Sequence, residues 1–223
     1  MNNNYIKQLV ELYNQHKDEE YANWSQNYLR NQFQFLGIRT PIRRKLTKQF
    51  LNEYGVPSKE NLKEIILTLW DLPEREYQKA ALDILEKVKK ELTPDDMPWL
   101  CTLLVTKSWW DTVDVLSPHI MGYLFTVYPQ LISSYADEWI LGDNIWLQRS
   151  ALLYQLRYKK QTDEGRLFHY IRTRADSNEF FIQKAIGWVL REYGKTNPDA
   201  VKEFVATNQL KPLSKREALK RLL

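Results

Sequence analysis

The residues Lys107-Ser108-Trp109-Trp110-Asp111-Thr112-Val113-Asp114 place two carboxylates and two indoles within a short stretch. On a helix, Trp110 and Asp114 stand four apart and share a face. A carboxylate beside an indole face can steady a positive charge. Asp111 is the rival acid. It lies about 60° of helix rotation from Asp114, since each residue turns roughly 100°. Asp111 is therefore expected to be a helix N-terminal or structural acid. No histidine neighbours Asp114: His16, His119 and His169 are scattered and form no HExxH motif. The single cysteine, Cys101, excludes an intramolecular disulfide framework and a cysteine-rich zinc site.

Asp114 also belongs to a long-range pattern. Steps of 35 residues give Arg44, Lys79, Asp114, Arg149 and Lys184: four cations and one carboxylate. In a stacked helical array, equivalent positions line one face. A row of cations suits a phosphate backbone, and the lone carboxylate would weaken plain polyanion binding. Either chemistry occurs at Asp114, or Asp114 is an ion pair held between Lys79 and Arg149. Trp188 follows Lys184 by four residues and Trp146 precedes Arg149 by three. Aromatics among cations hold nucleotides and cationic bases, although any one indole could equally be core.

The elements that must carry these residues are helical. Apolar residues recur at helical spacing over residues 5–13, 19–33, 41–54, 58–70, 76–92, 94–104 and 110–125. The pattern continues over 130–141, 146–160, 164–175, 180–193, 198–206 and 214–222. Ser58, Thr93-Pro94-Asp95-Asp96 and Asn197-Pro198-Asp199 read as helix starts. Only 7 of 223 residues are glycine, about half the usual share, which disfavours sandwiches, barrels and Gly-rich nucleotide loops. The strings Tyr77-Gln78-Lys79-Ala80-Ala81-Leu82, Leu147-Gln148-Arg149-Ser150-Ala151-Leu152 and Ile182-Gln183-Lys184-Ala185-Ile186-Gly187 align at offsets of 70 and 35. Ser58, Thr93, Tyr128, Asp163 and Pro198, at or beside helix starts, are also 35 apart. An all-α solenoid of HEAT-like helical hairpins is expected, forming a single domain over residues 1–223. Pro118 falls within one predicted helix, where it should kink the helix, end it, or mark a shorter one.

The net charge of +4 is uneven. Residues 1–142 hold 16 basic and 19 acidic residues, whereas 143–223 hold 16 and 9. Arg30, Arg39, Arg43, Arg44, Lys45 and Lys48 form a stretch without an acid. These segments read as polyanion-binding or as solvated helix faces. No run approaches the roughly 18 apolar residues of a membrane span. The start, Met1-Asn2-Asn3-Asn4-Tyr5, lacks the basic-then-apolar order of a signal peptide. A cytoplasmic protein without membrane partners is expected.

The strings Phe35-Leu36-Gly37-Ile38-Arg39-Thr40-Pro41, Ser108-Trp109-Trp110-Asp111-Thr112-Val113-Asp114, Trp146-Leu147-Gln148-Arg149-Ser150-Ala151 and Phe181-Ile182-Gln183-Lys184-Ala185-Ile186-Gly187-Trp188 resemble the AlkD family of DNA alkylation repair glycosylases. The resemblance runs over residues 5–222. It implies a right-handed superhelix of HEAT-like repeats with a concave DNA-binding face. It further implies removal of N3- and N7-alkylated purine cations, such as 7-methylguanine and 3-methyladenine, from duplex DNA, with no metal or organic cofactor; a monomer is expected. By motif, Asp114 matches the catalytic carboxylate, Trp110 and Trp188 the aromatic cleft residues, and Arg149 a DNA-contacting arginine. Tyr28 matches the cleft tyrosine. Arg39, Arg44, Lys79 and Lys184 join the DNA-binding set from the basic stretch and the basic row. The family frames the lesion's sugar and backbone while the base stays in the duplex.

The expected chemistry suits these residues. N-glycosidic cleavage passes through an oxocarbenium-like sugar. An alkylated purine cation departs as a neutral base, so no general acid is needed, and one carboxylate can stabilise the sugar and orient water. No lysine follows the Trp109-Trp110 pair within one turn, which points to a monofunctional hydrolase. Two alternatives remain: a non-catalytic binder of distorted or branched DNA, and a protein-interaction scaffold.

Overall fold

The computed structural model describes residues 2–220. Arg221 and Leu222, the predicted end of the last helix, lie outside the described residues. The chain is all-α. Among the described residues there is no strand, and one isolated parallel bridge pairs Gln34 with Glu74. No helix among them is long and apolar enough to cross a membrane. The helices pack into two compact units, Met1–Leu92 and Thr93–Leu223.

The first unit holds α1 (Asn2–Asn14), α2 (Glu19–Tyr28), α3 (Thr40–Tyr54), α4 (Lys59–Asp71) and α5 (Arg75–Val88). Helix α1 packs on α3 and α4, and α5 packs on both α3 and α4. Leu9, Phe50, Ile66, Leu69, Ile84 and Leu85 are buried between them. The run predicted over 19–33 stops at Tyr28 because Arg30 and Asn31 take left-handed φ values of 56°. The chain then reaches α3 through Leu36-Gly37-Ile38. Their N–H groups donate to the buried carboxylate of Glu76 at 3.0, 2.9 and 3.1 Å. Gly37 has φ +87° and sits against the Asp18 carbonyl, where a Cβ would approach to 1.9 Å. Only glycine fits there.

The second unit holds α6 (Met97–Val105), α7 (Trp110–Val115), α8 (Gly122–Val127), α9 (Leu131–Ser134) and α10 (Ala136–Leu141). It continues with α11 (Ile145–Leu153), α12 (Glu164–Arg174), α13 (Phe180–Tyr193), α14 (Pro198–Thr207) and α15 (Pro212–Leu219). Helices α7, α11, α13 and α15 pack successively side by side. The run predicted over 130–141 breaks at Tyr135 (φ −126°, ψ −68°), whose ring meets Trp139 edge-on. The run predicted over 146–160 ends at Leu153. Beyond it, Gln155 brackets the next helix start, accepting from the Asp163 N–H at 2.7 Å and donating to the Asp163 carbonyl at 3.3 Å.

Three equivalent glutamines explain why the 35-residue step persists. Gln78, Gln148 and Gln183 each donate to the carbonyl six residues earlier, those of Leu72, Gly142 and Ser177, at 2.7, 2.7 and 3.1 Å. Each closes the turn into its helix by satisfying a carbonyl of the connection that precedes it. Val113 occupies this register position in the copy that carries Asp114, and the residue six before it, Lys107, takes φ +48°. Pro118 neither ends nor shortens its helix. Residues Leu116–Met121 widen into a π-helical turn between α7 and α8, and the Ser117 hydroxyl donates to the Val113 carbonyl at 2.7 Å. The wider turn accommodates a ring that would clash with the carbonyl four residues earlier in an α-helix.

Candidate active site

Helix α7 begins at the extended residue Trp109 and presents Trp110 in its first turn and Asp114 one turn on. Trp109 faces inward. Its ring meets Trp146 at 5.6 Å and Phe181 at 5.1 Å, and Trp146 meets Phe181 at 5.0 Å. This three-ring cluster ties the starts of α7, α11 and α13 together. Trp146 is therefore a packing residue.

On the same helices, Asp114, Trp110, Arg149, Lys184 and Trp188 line one pocket of about 300 Å³ with Phe180, Phe181, Arg191 and Glu217. The Asp114 side chain is 16% exposed, so it is neither sealed nor free in water. Arg149 grips it with two parallel bonds, Nε to Oδ1 at 2.7 Å and Nη2 to Oδ2 at 2.8 Å. Arg149 Nη1 also donates to the Phe181 carbonyl, so α11 bridges α7 and α13. Burial raises the Asp114 carboxyl above the usual carboxylate range, and the Arg149 hydrogen bonds offset part of that rise. Asp111 sits in the first turn of α7, near the positive end of the helix dipole.

The opposite wall comes from α13 and α15. Lys184, Trp188 and Arg191 follow helical spacing on α13. Glu217 of α15 accepts from Lys184 Nζ at 3.0 Å and from Arg191 Nη1 at 2.7 Å. Those two hydrogen bonds pull the Glu217 carboxyl down to about 2. The helices meet closely because residue 187 is glycine: a Cβ there would stand 2.4 Å from Glu217 Cβ. The Ser214 hydroxyl donates to the Gln183 carbonyl at 3.0 Å and holds the approach.

The chain matches the family described as DNA alkylation repair enzyme over residues 9–222. A solved structure described as a predicted DNA alkylation repair enzyme from Enterococcus faecalis is 34% identical, with a TM-score of 0.86. The match covers 92% of this chain and 96% of that one. The chain belongs to the DNA alkylation repair enzyme family. Two Streptococcus mutans structures share the fold at a TM-score of 0.61. The protein described as smu.31 is 16% identical over 80% of this chain and 96% of its own. AlkD2 is 14% identical over 82% and 88%. No curated protein matches the chain by sequence.

Within this DNA alkylation repair enzyme, the structure gathers five of the nine residues singled out by sequence: Asp114, Trp110, Trp188, Arg149 and Lys184. The other four, Tyr28, Arg39, Arg44 and Lys79, lie in the first unit. There the Arg39 guanidinium stands 4.3 Å over the Tyr21 ring. Tyr21 stacks on Trp24 at 5.3 Å and Trp24 on Tyr28 at 5.2 Å, with Trp24 54% and Tyr28 59% exposed. Arg44 is exposed, and the Lys79 ammonium lies 5.3 Å from the Phe35 ring centre. Among the described residues, no cluster of histidine, cysteine or carboxylate side chains could hold a metal ion.

Sequence reasoning missed Phe180, Phe181, Arg191 and Glu217. Phe181 was within reach, since it stands 35 residues after Trp146, and Arg191 lies seven after Lys184 on the same face. Glu217 gave no signal. It follows Lys184 by 33 residues, because the last helix slips out of the 35-residue step.

Proposed function

We propose that this protein is a monofunctional DNA glycosylase that removes N3- and N7-alkylated purine cations from duplex DNA. The observation that carries the reading is one pocket in which a mostly buried carboxylate, Asp114, lies among two indoles, Trp110 and Trp188, and three cations. Asp114 faces the anomeric carbon as the C1′–N bond breaks. The bonding electrons leave with the base and cancel its charge, so the purine departs neutral. The carboxylate stabilises the oxocarbenium-like sugar and orients the attacking water. Water adds its oxygen to C1′ and releases a proton to the solvent. Trp110 and Trp188 present electron-rich faces to the cationic sugar and exclude solvent around it. Arg149 holds Asp114 by both oxygens and leaves lone pairs for water and sugar. Lys184, with Lys79, Arg39, Arg44 and Tyr28 of the first unit, binds the phosphate backbone.

The bidentate Arg149–Asp114 pair also favours a second reading, a non-catalytic binder of distorted DNA in which the pair only braces α7 against α11. One experiment separates the two. Methylated duplex DNA is incubated with the wild-type protein and with Asp114→Asn, and free bases are identified. The glycosylase reading expects 7-methylguanine and 3-methyladenine from the wild type, none above background from the variant, and DNA binding by both. Absence of release by a folded, DNA-binding wild type favours the binder.

A further inference from the structure

Five charged side chains line the pocket: Arg149, Lys184 and Arg191 against Asp114 and Glu217. Arg149 and Asp114 neutralise each other in a bidentate pair. Lys184 and Arg191 would then present two uncompensated positive charges beside the place where the proposed reaction carries a cation. Glu217 prevents this. Its two oxygens take Lys184 and Arg191 separately, and its side chain is only 12% exposed.

We infer that Glu217 is a specificity-determining residue: by cancelling one of the two charges on α13, it makes the pocket tolerant of a cationic sugar or base. This rests on the glycosylase reading. The physical argument is one of sign and place. Lys184 is 38% exposed and keeps N–H groups for a phosphate, so the wall still attracts DNA. A phosphate approaches from solvent, where charges are screened. The cationic sugar of the proposed reaction faces the aromatic side chains of the pocket, where one extra cation repels strongly. With Glu217 the pocket carries a net charge of +1, from three cations and two carboxylates; without it, +2. The bonds to Lys184 and Arg191 hold the carboxylate by both oxygens, and its Cβ sits where α13 and α15 meet at Gly187.

The test reads preference for a cation directly. Duplexes carrying either a cationic pyrrolidine abasic-site analogue or the neutral tetrahydrofuran analogue are titrated with the full chain by fluorescence anisotropy. The ratio of the two dissociation constants is the readout. The wild type is expected to prefer the pyrrolidine duplex. Glu217→Gln lowers that preference by about three- to tenfold, Lys184→Gln raises it by about threefold, and the double variant returns to within about twofold of wild type. A purely structural Glu217 predicts equal weakening of both duplexes and no opposite effect from Lys184→Gln. An unchanged ratio in both single variants, or a double variant no closer to wild type than Glu217→Gln, overturns the inference alone. Lys184→Gln tests it even if Glu217→Gln fails to fold, because a ratio that does not rise counts against it. A wild type with no preference for the cation overturns the glycosylase reading as well.

Discussion

Both units contain a nearly buried arginine that pairs with an aspartate on a neighbouring helix, and two such pairs differ in what surrounds them. In the first unit, Arg43 of α3 pairs with Asp83 of α5. In the second, Arg149 of α11 pairs with Asp114 of α7. Both arginines are 5% exposed, and both acids are partly open, at 25% and 16%. Arg43 leaves its buried Nε without a hydrogen bond among the described residues, whereas Arg149 uses Nε, Nη1 and Nη2. One turn to either side of Asp83 stand Lys79 and Lys87; at the same distances from Asp114 stand Trp110 and Pro118. An Asp–Arg pair is thus a bracket that helical stacking repeatedly finds useful. It becomes a candidate for chemistry where an indole and a proline stand in place of the flanking lysines and a pocket opens beside the carboxylate.

The contrast can be broken most sharply by exchanging each acid for its amide. Asp114→Asn should lower 7-methylguanine release by about a hundredfold or more. Asp83→Asn should leave release within about twofold of wild type, as measured on methylated duplex DNA. Comparable losses in both variants would make Asp114 a bracket like its counterpart. Next in size is stability. Arg149→Met strands a buried carboxylate and should cost about 3–5 kcal/mol in urea unfolding. Arg43→Met should cost about 1–3 kcal/mol, since Asp83 is more exposed and can reach water.

A smaller effect concerns acid. In the proposed reaction Asp114 acts as the anion, and its carboxyl lies above the ordinary aspartate range because of burial. Release should therefore fall, as pH drops, at a less acidic pH than an ordinary aspartate would allow. Arg149→Gln, which removes the ionic partner, should move that limb to higher pH. A limb unmoved by the substitution would show that Arg149 does not govern the ionisation. Glu217 has the opposite sign: its folded value of about 2 lies below the ordinary 4.5. Its stabilising contribution is present above pH 4.5 and is lost as pH falls toward 2. The stability gap between wild type and Glu217→Gln should shrink over that window. Smallest of all, Lys184→Gln should weaken binding to undamaged duplex by a few-fold and reduce the salt slope by about one.

Much of this was legible in the chain itself. The helices appear where apolar periodicity places them, because that periodicity reports which face each must bury. Thr93 forms its capping box with Asp96, and Asn197 accepts from the Ala200 N–H, as their residue types indicate. Less legible were the interruptions: the left-handed pair Arg30-Asn31, the break at Tyr135, and the π turn around Pro118. Each answers to neighbours distant in sequence or to a carbonyl that must find a donor, and a single-helix pattern records neither.

The sequence by itself determined an all-α chain, a 35-residue step, and a carboxylate set in a cationic row four residues from an indole. Local periodicity suffices for that, since helix geometry turns spacing into a shared face. Only the tertiary structure decided that Asp114 would be gripped by both Arg149 donors and that Phe180, Phe181 and Arg191 would join its pocket. It also decided that a second carboxylate, Glu217, would close the far wall. Distances between side chains on different helices depend on how closely those helices pack. Here that closeness depends on residue 187 having no side chain in the way of Glu217.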